Sequence, residues 1–535
     1  MKRTVAATLL SLCIAAQTAA QGLKSGRYEL PYKNTYVKEV FVAENEYRTA
    51  APERIEPRPF DEARRILPAP YWEGHDKEIE MYWHAWRIAV GNIRQPQEGS
   101  GFVSPYLDMA YNGNIFMWDM SFMMLYARYG YRYFPFQRSM DNFYAKQHPD
   151  GFICREIRAD GSDCFERYDP TSTGPDLLPW IELTYFRQFG DIDRLHRIFP
   201  ALCGYAKWWK LNRTWPDGTY WSSGWGTGMD NMPRVKPEYN PIFSHGHMVW
   251  LDTNLQQMLV DESLLQIGFH IERWQEIEWM EEEMKMLKRY INEHLWDERD
   301  GFLHDRYGDG SLCPTKGIGA YWALQTDALD KERLDRLVAH LSDTTEFARP
   351  HRVPSLSADH AKYNPVGRYW QGGVWPGTNY MVIDGLWRKG YRAQAREIAA
   401  NHYVSVFEVW KKTGTFWEYY APERPEPGFM ARKDFVGWTG LPPIAVFIEY
   451  VLGIKSDYSE RRIEWDVTRT EAHGIERYPF GPNGVVDLKV RRRGSSSEVP
   501  AVTVSTDVPF DLTVLWGDGQ SRTVHVEKSG EVKLD

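Results

Sequence analysis

The chain has 535 residues, and its 64 Lys and Arg against 73 Asp and Glu give a formal net charge of −9. That balance argues against a nucleic-acid-binding protein, which needs a basic face or stripe, and the absence of any internal run of 18 or more apolar residues excludes a membrane-spanning helix. Aromatic residues make up 15% of the chain, and because aromatic faces stack on sugar rings as well as filling cores, they favour a carbohydrate partner.

The first residues have the order of a targeting segment. Two basic residues precede an apolar stretch at 5–16, and small residues follow at 18–20. This order is typical of a cleaved secretory signal. We therefore expect residues 1–20 to be removed and the remaining chain to be periplasmic or secreted, with no insertion into a membrane.

The composition and apolar periodicity of the remaining chain change at two places. Residues 21–70 are rich in Pro, Glu and Tyr and lack sustained periodicity, which predicts an extended N-terminal arm. Residues 71–454 have helical periodicity interrupted by loops dense in Gly, Pro and Trp, with room for about a dozen helices.

Three stretches of this region show the clearest helical spacing. Apolar residues at three- and four-residue steps predict one helix over 264–291 and another over 192–208. A third pattern covers 375–387 and ends at Gly390, a natural residue for a helix carboxyl end.

Residues 455–535 are strand-like. Alternating apolar residues flank Asp518-Gly519, and an Asp-Gly pair between such runs is typical of a β-hairpin. We expect a small C-terminal β module packed on the helical region.

Two cysteines, Cys154 and Cys164, bracket a short polar loop. In an oxidising compartment they are candidates for a disulfide, and the alternative is two free thiols. Neither the cysteine spacing nor the neighbouring histidines indicate a zinc site.

Four clusters combine Trp with polar side chains, most of them within Gly-rich turns. They lie at 116–119, 223–234, 367–376, and 415–420 with 434–438. A single Trp-Asp pair at a helix start is explained by a core aromatic beside an N-cap. Four clusters separated by helices instead favour a sugar site, which needs flat apolar platforms beside carboxylates that bind hydroxyl groups.

Hydrolysis of a glycosidic bond needs two carboxyl groups, one to protonate the leaving oxygen and one to activate water or attack carbon. Asp230 and Glu418 are attractive because each lies among aromatic residues and glycines, where loss of water raises a carboxyl pKa. The residues alone leave Asp119, Asp434 and Glu423 as comparable candidates.

The clusters resemble glycoside hydrolase family 63, which contains processing α-glucosidase I and bacterial α-glucosidases, and they are similar to mannosylglycerate hydrolases and trehalases. The resemblance covers about 71–454 in consistent order. The motifs are W-D at Trp118-Asp119, T-G-M-D-N-M-P-R ending at Arg234, Y-W-Q-G-G-V-W-P ending at Pro376, and W-E-Y-Y ending at Tyr420.

The resemblance implies a mainly α fold, an (α/α)6 barrel, and inverting exo-hydrolysis that releases a terminal α-linked sugar, glucose, from an oligosaccharide. Asp230 would be the general acid and Glu418 the general base. Trp118, Asp119, Tyr369, Trp370 and Trp375 would line the sugar subsite, and the same clusters make further substrate-binding candidates of Trp225, Asn231, Arg234, Gln371, Trp417 and Asp434. No metal ligand or cofactor is expected, although the many carboxylates leave a structural Ca²⁺ open.

The chain departs from the family pattern at three places. Gly226-Thr227 stands where many relatives have Glu-Ser, Met232 replaces a small Ser, and Gln371 replaces Arg. Gln cannot reproduce the charge or the bidentate fork of Arg, so we expect substrate identity to change there.

Other functions fit parts of the sequence. A trehalase or a mannosylglycerate-type hydrolase would use the same motifs on a smaller α-glycoside. A polysaccharide lyase on a similar helical toroid would use a Tyr/His arrangement, for which Tyr239, His245 and His247 are the candidates. A non-catalytic carbohydrate-binding protein would explain the aromatic residues alone. The oligomeric state is not indicated.

Overall fold

A computed structural model of the chain describes Leu23–Ser25, Tyr28–Leu30, 39–109 and 111–534. The predicted signal segment lies outside the described residues. Among the helices of the described chain, none combines the length and apolarity that a membrane span requires.

Helices form most of the regular structure before Leu452. The α-helices are α1 (Val40–Glu44), α2 (Phe60–Ile66), α3 (Asp76–Gly91), α4 (Met117–Ala127), α5 (Asp141–Ala145), α6 (Leu178–Phe189), α7 (Ile192–Asn212), α8 (Leu251–His270), α9 (Trp279–Tyr290), α10 (Lys331–Ala339), α11 (Pro376–Arg388) and α12 (Arg392–Thr413). Leu441–Val451 is a π-helix, and Trp225–Thr227, Ile318–Gln325 and Trp438–Gly440 are 3₁₀ helices.

The helices form a buried set and an outer set. Every residue of α4 is buried, and α11 is buried along nearly its whole length, as expected of central helices. By contrast α9 buries only one stripe, at Met280, Glu283 and Leu287. Along the chain, α11 packs on α12 and α8 packs on α9, so that outer helices cover central ones.

The amino ends of the central helices meet at one place. Trp375 caps the start of α11, and its ring lies 5.5 Å from the ring of Trp438, just before the π-helix. Phe122, in the middle of α4, packs on Gly377 in the first turn of α11, where an added Cβ would lie 2.9 Å from its ring, and Trp118 in the first turn of α4 lies 4.8 Å from the same ring. This convergence places three of the four aromatic clusters side by side.

The helix predictions hold in two of three cases. Helices α7 and α11 match the patterns at 192–208 and 375–387, and Gly390 has a positive φ of 86° beyond the end of α11. The single helix predicted over 264–291 is wrong, because the chain turns between α8 and α9. Glu272 has a positive φ of 58°, and the apolar stripe continues across the turn because both helices pack on the same core.

Strands follow from Ile454. They are β12 (Ile454–Asp457), β13 (Arg462–Asp466), β14 (His473–Phe480), β15 (Gly484–Val490), β16 (Val502–Thr506), β17 (Phe510–Trp516), β18 (Gln520–Val526) and β19 (Gly530–Val532). Three short strands come earlier in the chain, β1 (Leu23–Ser25), β2 (Tyr28–Leu30) and β3 (Ala69–Trp72). The remaining strands have two residues each: β4 (Ile93–Arg94), β5 (Tyr106–Leu107), β6 (Ile115–Phe116), β7 (Glu156–Ile157), β8 (Met248–Val249), β9 (Trp296–Asp297), β10 (Phe302–Leu303) and β11 (Arg306–Tyr307). The predicted hairpin is confirmed, with β17 and β18 antiparallel around Asp518-Gly519.

The C-terminal strands and β3 build two sheets, and the other strands of the described residues pair two by two. One has the order β12-β13-β17-β18, with β13 and β17 parallel, and the other has the antiparallel order β19-β16-β15-β14-β3. Phe480 and Phe510, from different sheets, touch at 5.5 Å between ring centroids. The segment after residue 38 contacts two separate parts of the chain, because Phe41 packs on Phe199 of α7 while β3 pairs with β14.

The four cysteines of the described residues are free thiols, so Cys154 and Cys164 form no disulfide here. The Cys154 thiol instead donates to the backbone carbonyl of Glu156 at 3.1 Å. Burial raises the pKa of Cys154 to about 11, which keeps it a thiol at neutral pH.

A buried carboxylate connects the π-helix with α11 and with the segment that follows α4. Glu449 of the π-helix accepts hydrogen bonds from Arg128 at 2.8 Å, Tyr129 at 2.7 Å and Tyr380 of α11 at 2.7 Å. With only 3% of its side chain exposed, Glu449 balances a guanidinium that is itself buried.

Replacing Glu449 with Gln should leave Arg128 without its counter-charge and lower the free energy of unfolding by about 3–5 kcal/mol. Urea unfolding followed by Trp fluorescence measures the change. The control is Glu408→Gln, which breaks an exposed pair with Lys411 at 3.0 Å and should cost at most about 0.5 kcal/mol. Equal midpoints for the two variants would contradict the assignment.

Candidate active site

Asp119 lies in the first turn of α4, and Trp118 precedes it. The short pair β6–β7 leads into this helix and fixes where it begins. Burial raises the pKa of Asp119 well above its usual value, and the charges of Glu418 and Asp230 raise it further, while its own backbone N–H and Arg155 oppose the shift. These electrostatic couplings place three carboxyl groups in one site.

The loop that carries Asp230 is held by its own small polar residues. The Ser223 hydroxyl accepts from the N–H of Gly226 at 3.0 Å, and the Thr227 hydroxyl donates to the carbonyl of Gly224 at 3.0 Å. Gly228 then takes a positive φ of 72°, with the Trp118 indole packed so closely that a Cβ would lie 2.9 Å from it. Position 228 therefore requires glycine for two reasons: its backbone has a positive φ, and Trp118 leaves no room for a side chain.

The side chain of Asp230 accepts a hydrogen bond from the Tyr369 hydroxyl at 3.0 Å. Burial is the main reason that its pKa is raised. The positive charge of Arg155 and the donors of Tyr369 and Trp225 act in the opposite direction because they favour the ionised carboxylate.

Asn231 joins the Asp230 loop to the loop that follows residue 367. Its side-chain oxygen accepts from the N–H of Trp370 at 2.8 Å, and its amide donates to the carbonyl of Arg368 at 3.4 Å. Gln371 adds a bond from its amide to the carbonyl of Asn231 at 3.3 Å. Asn231 and Gln371, both predicted to bind substrate, therefore hold two loops together.

Three aromatic rings form a stack on one side of the site. Trp370 and Trp375 are parallel within 4° at 4.2 Å between ring centroids, and Tyr419 continues the stack at 4.3 Å from Trp375. The Tyr369 ring meets Trp375 edge-on at 5.0 Å. Stacking of this kind fixes Tyr369 and, through its hydroxyl, Asp230.

Glu418 comes from the fourth cluster, in an extended segment bridged to residue 433. Its backbone carbonyl accepts from the Trp438 indole at 2.7 Å, and its carboxyl accepts weakly from the N–H of Arg432 at 3.4 Å. Burial raises the pKa of Glu418 to about 7, with a further contribution from the charge of Asp230, while Arg432 opposes it. A carboxyl of this kind exchanges protons near neutral pH.

Some predicted substrate contacts lie elsewhere. Arg234 is 5% exposed, and its guanidinium forms two ion pairs, with Asp252 and Asp305, so it supports the loop and does not face a sugar. Trp417 donates its indole N–H to Thr413 at 3.0 Å, at the exposed end of α12. Asp434 accepts from Thr415 at 2.6 Å at the rim of the site.

Glu423, which the sequence alone left comparable with Glu418, is already neutralised. It pairs with Arg349 at 2.7 Å and accepts from the Tyr363 hydroxyl at 2.6 Å. The hydrogen bond from Arg349 is the main reason that its pKa is lowered. Met232, one of the three departures, is buried against Gly317 away from the carboxyl groups.

Arg155 is a site residue that the sequence did not reveal. In the sequence it is one residue of the polar loop between Cys154 and Cys164, yet it acts electrostatically on both Asp119 and Asp230. No short-range pattern marks it, because β6–β7 pairing brings it to the start of α4.

The three lyase candidates lie together among aromatic rings. The ring centroid of His247 is 4.4 Å from that of His245 and 5.6 Å from that of Tyr239, and the rings of Trp215 and Trp221 pack on His245. Within the described part of the chain, no three His, Cys, Asp or Glu side chains form a group that could hold a metal ion.

Comparison with known proteins identifies the family. Residues 114–439, which include all three carboxyl groups, match the family model described as the mannosylglycerate hydrolase MGH1-like glycoside hydrolase domain. The chain belongs to this family. The resemblance to glycoside hydrolase family 63 is thereby confirmed, and a glycosidase acting on carbohydrate is supported.

Individual relatives are distant. A probable mannosyl-oligosaccharide glucosidase of Schizosaccharomyces pombe is 24% identical over 46% of this chain and only 34% of its own length. A mannosylglycerate hydrolase of Rubrobacter radiotolerans is 26% identical over 30% of this chain and 35% of its own. The structure of the GH63 mannosylglycerate hydrolase of Thermus thermophilus with glucose aligns with a TM-score of 0.55 at 17% identity, covering 69% of this chain and 99% of that one. At this identity the likeness concerns the fold.

Gly228→Ala should damage the site more than the same change at Gly414, which has nearly the same φ, 73°, but nothing within 4 Å of an added Cβ. Both variants should lose about 1 kcal/mol to left-handed backbone strain. Only Gly228→Ala should lose a further 1–3 kcal/mol, roughly, from overpacking, as well as glycosidase activity, because it displaces Trp118. Urea unfolding and initial rates measure both effects, and a similar loss of activity in both variants would contradict this role.

Proposed function

We propose that this chain is an exo-acting, inverting glycoside hydrolase that releases a terminal α-linked sugar of the gluco configuration from an oligosaccharide. The observation that carries the proposal is the meeting of Asp230 and Glu418, two carboxyl groups with raised pKa values, in one poorly hydrated site. A pair of carboxyl groups is what glycoside hydrolysis requires.

Asp230 is the proposed general acid. Its carboxyl must keep a proton until the glycosidic oxygen begins to leave, and burial favours the protonated form. The bond from Tyr369 fixes the carboxyl oxygen Oδ2 and leaves Oδ1 for the substrate. Asp119, at the start of α4, is then placed to accept hydrogen bonds from sugar hydroxyl groups.

Glu418 is the proposed general base. Inversion needs a water molecule between the base and the sugar carbon, so the two carboxyl groups should stand about 6.5–9.5 Å apart. The weak contact of Glu418 with the N–H of Arg432 leaves its oxygens available to hold that water. Its pKa of about 7 suits a base that takes a proton near neutral pH.

The surroundings support exo-action. Trp118 and Gly228 close the site on one side, and the stack of Trp370, Trp375 and Tyr419 closes another. An open depression of about 740 Å³, lined by Tyr111, Arg432 and Asp434 among others, lies next to Glu418 and would receive the rest of the substrate.

The meeting of the central helix amino ends and the fold of the Thermus enzyme support a closed (α/α)6 barrel with the site at one mouth. Residues 1–20 support export to the periplasm or beyond.

A second candidate is a hydrolase of a small α-glycoside such as mannosylglycerate, which the matched family favours. A panel of purified glycosides, including trehalose, glucosyl oligosaccharides and mannosylglycerate, separates the two by relative kcat/KM.

Asp230→Asn and Glu418→Gln should each lower kcat by about 10²–10⁴-fold with little change in thermal stability, because each removes a positioned acid or base and keeps the shape. A substrate with a very good leaving group should partly rescue Asp230→Asn and leave Glu418→Gln inactive. Proton NMR of the first product of an α-linked substrate should show the β-anomer. An initial α-anomer would show retention and refute the assigned roles.

Asp230→Asn should also change the pH profile. In the active form Asp230 holds its proton and Glu418 is ionised, so the basic limb of kcat/KM reports loss of the Asp230 proton. Measured with the good-leaving-group substrate, Asp230→Asn should lose that basic limb, because Asn has no proton to release, and should keep the acidic limb set by Glu418. The control is Glu423→Gln, a partner of Arg349, which should leave both limbs in place. A basic limb that persists in Asp230→Asn would contradict the role of Asp230 as the acid.

A further inference from the structure

Arg155 is fixed at the edge of the site by its backbone. Its carbonyl accepts from the N–H of Met117 at 2.8 Å, and its own N–H donates to the carbonyl of Ser172 at 3.0 Å. Both bonds hold Arg155 against the first turn of α4, where Trp118 and Asp119 lie. Its position therefore does not depend on its side chain.

The guanidinium group of Arg155 lies against two aromatic rings. Its central carbon is 4.7 Å from the ring centroid of Phe165 and 5.2 Å from that of Trp225. Within the described residues its buried Nε has no hydrogen-bond partner and its side chain forms no ion pair. Arg234, by contrast, has the same group saturated by two aspartates.

A partly buried cation without a partner costs free energy, because its lost hydration is not replaced by a counter-charge. The Arg155 backbone is bonded to Met117, two residues before Asp119, and its guanidinium lies against Trp225 of the loop that carries Asp230. Arg155 therefore flanks the part of the site between Asp119 and Asp230, and its charge lowers the pKa of both carboxyl groups. That is the side on which the proposed function places the terminal sugar.

We propose that the Arg155 guanidinium binds a carboxylate on the terminal sugar, so that the substrate class is an α-linked glycoside ending in a uronosyl residue. This rests on the proposed function and names its substrate. A planar guanidinium matches a carboxylate in a two-bond fork, and the rings of Phe165 and Trp225 pre-orient that fork. Gln371 is neutral and bonded to Asn231, so it does not supply this charge.

Binding of the carboxylate also acts on the acid. The charge of Arg155 favours the ionised form of Asp230. A substrate carboxylate offsets that charge, so the pKa of Asp230 rises when the matching sugar binds. The proton needed for departure of the leaving group is then held more firmly in the complex than in the free enzyme.

The test uses two substrates that differ only at C6, 4-nitrophenyl α-D-glucopyranoside and 4-nitrophenyl α-D-glucopyranosiduronate, at a pH where the uronate is ionised. Wild-type kcat/KM should be at least about tenfold higher for the uronide. Arg155→Gln should lower the ratio of the uronide value to the neutral-glycoside value about 10²-fold, and Arg155→Lys should recover part of that ratio. The control Arg158→Gln, an exposed neighbour bonded to the carbonyl of Asp163, should change neither value.

Equal losses on both substrates in Arg155→Gln would overturn the proposal, because Arg155 would then hold a neutral sugar. A third substrate, an α-glucoside of glyceric acid, carries its carboxylate on the leaving group. If only that substrate depends on Arg155, the proposal is also overturned.

Calorimetric titration with D-glucuronate and D-glucose separates this proposal from the proposed function. If wild type hydrolyses no glycoside but binds glucuronate, and Arg155→Gln does not, the carboxylate site stands and the hydrolase assignment fails. If neither sugar binds and nothing is hydrolysed, both fail.

Discussion

Asn231 hydrogen-bonds the backbone of the loop after residue 367, and the relative position of the reacting groups depends on this contact. Asp230 and Tyr369 lie far apart in the chain, on loops that have no strand or helix in common. The two side-chain bonds of Asn231 align those loops, and the stack of Trp370, Trp375 and Tyr419 keeps the second loop rigid. The bond between the Tyr369 hydroxyl and Asp230 follows from that alignment.

The site gathers acidic groups where water is scarce, and the fold compensates locally. Asp119 lies at a helix amino end, where backbone N–H groups and the helix dipole favour negative charge. Arg155 and Arg432 supply positive charge that acts on Asp230 and Glu418 respectively. Burial still dominates at all three carboxyl groups, so their proton affinities are high and depend on one another.

Sequence motifs were sufficient to find the carboxyl groups, because Trp-Asp, Gly-Met-Asp-Asn and Trp-Glu are local patterns. They did not show which polar neighbours face a sugar. Arg234 ends the motif that carries Asp230 and is therefore predicted to contact substrate. In the structure Asp252 and Asp305, which are distant in sequence, neutralise it. Arg155 reaches the site only through β6–β7 pairing. The apolar spacing of α8 continues into α9 across the turn at Glu272, so the sequence pattern does not show that the helix ends there.

The pairing of β3 with β14 has a consequence for how the chain acquires its structure. The strand Ala69–Trp72 is synthesised before the helical region, yet its partner His473–Phe480 follows that whole region. During synthesis β3 therefore has no partner strand until β14 has been made. Until the two strands pair, the edge of β14 is open, because β3 is the last strand on that side of the sheet. Closure of this sheet is therefore a late, long-range step, and the interval before it is when the chain is most exposed to association with other chains.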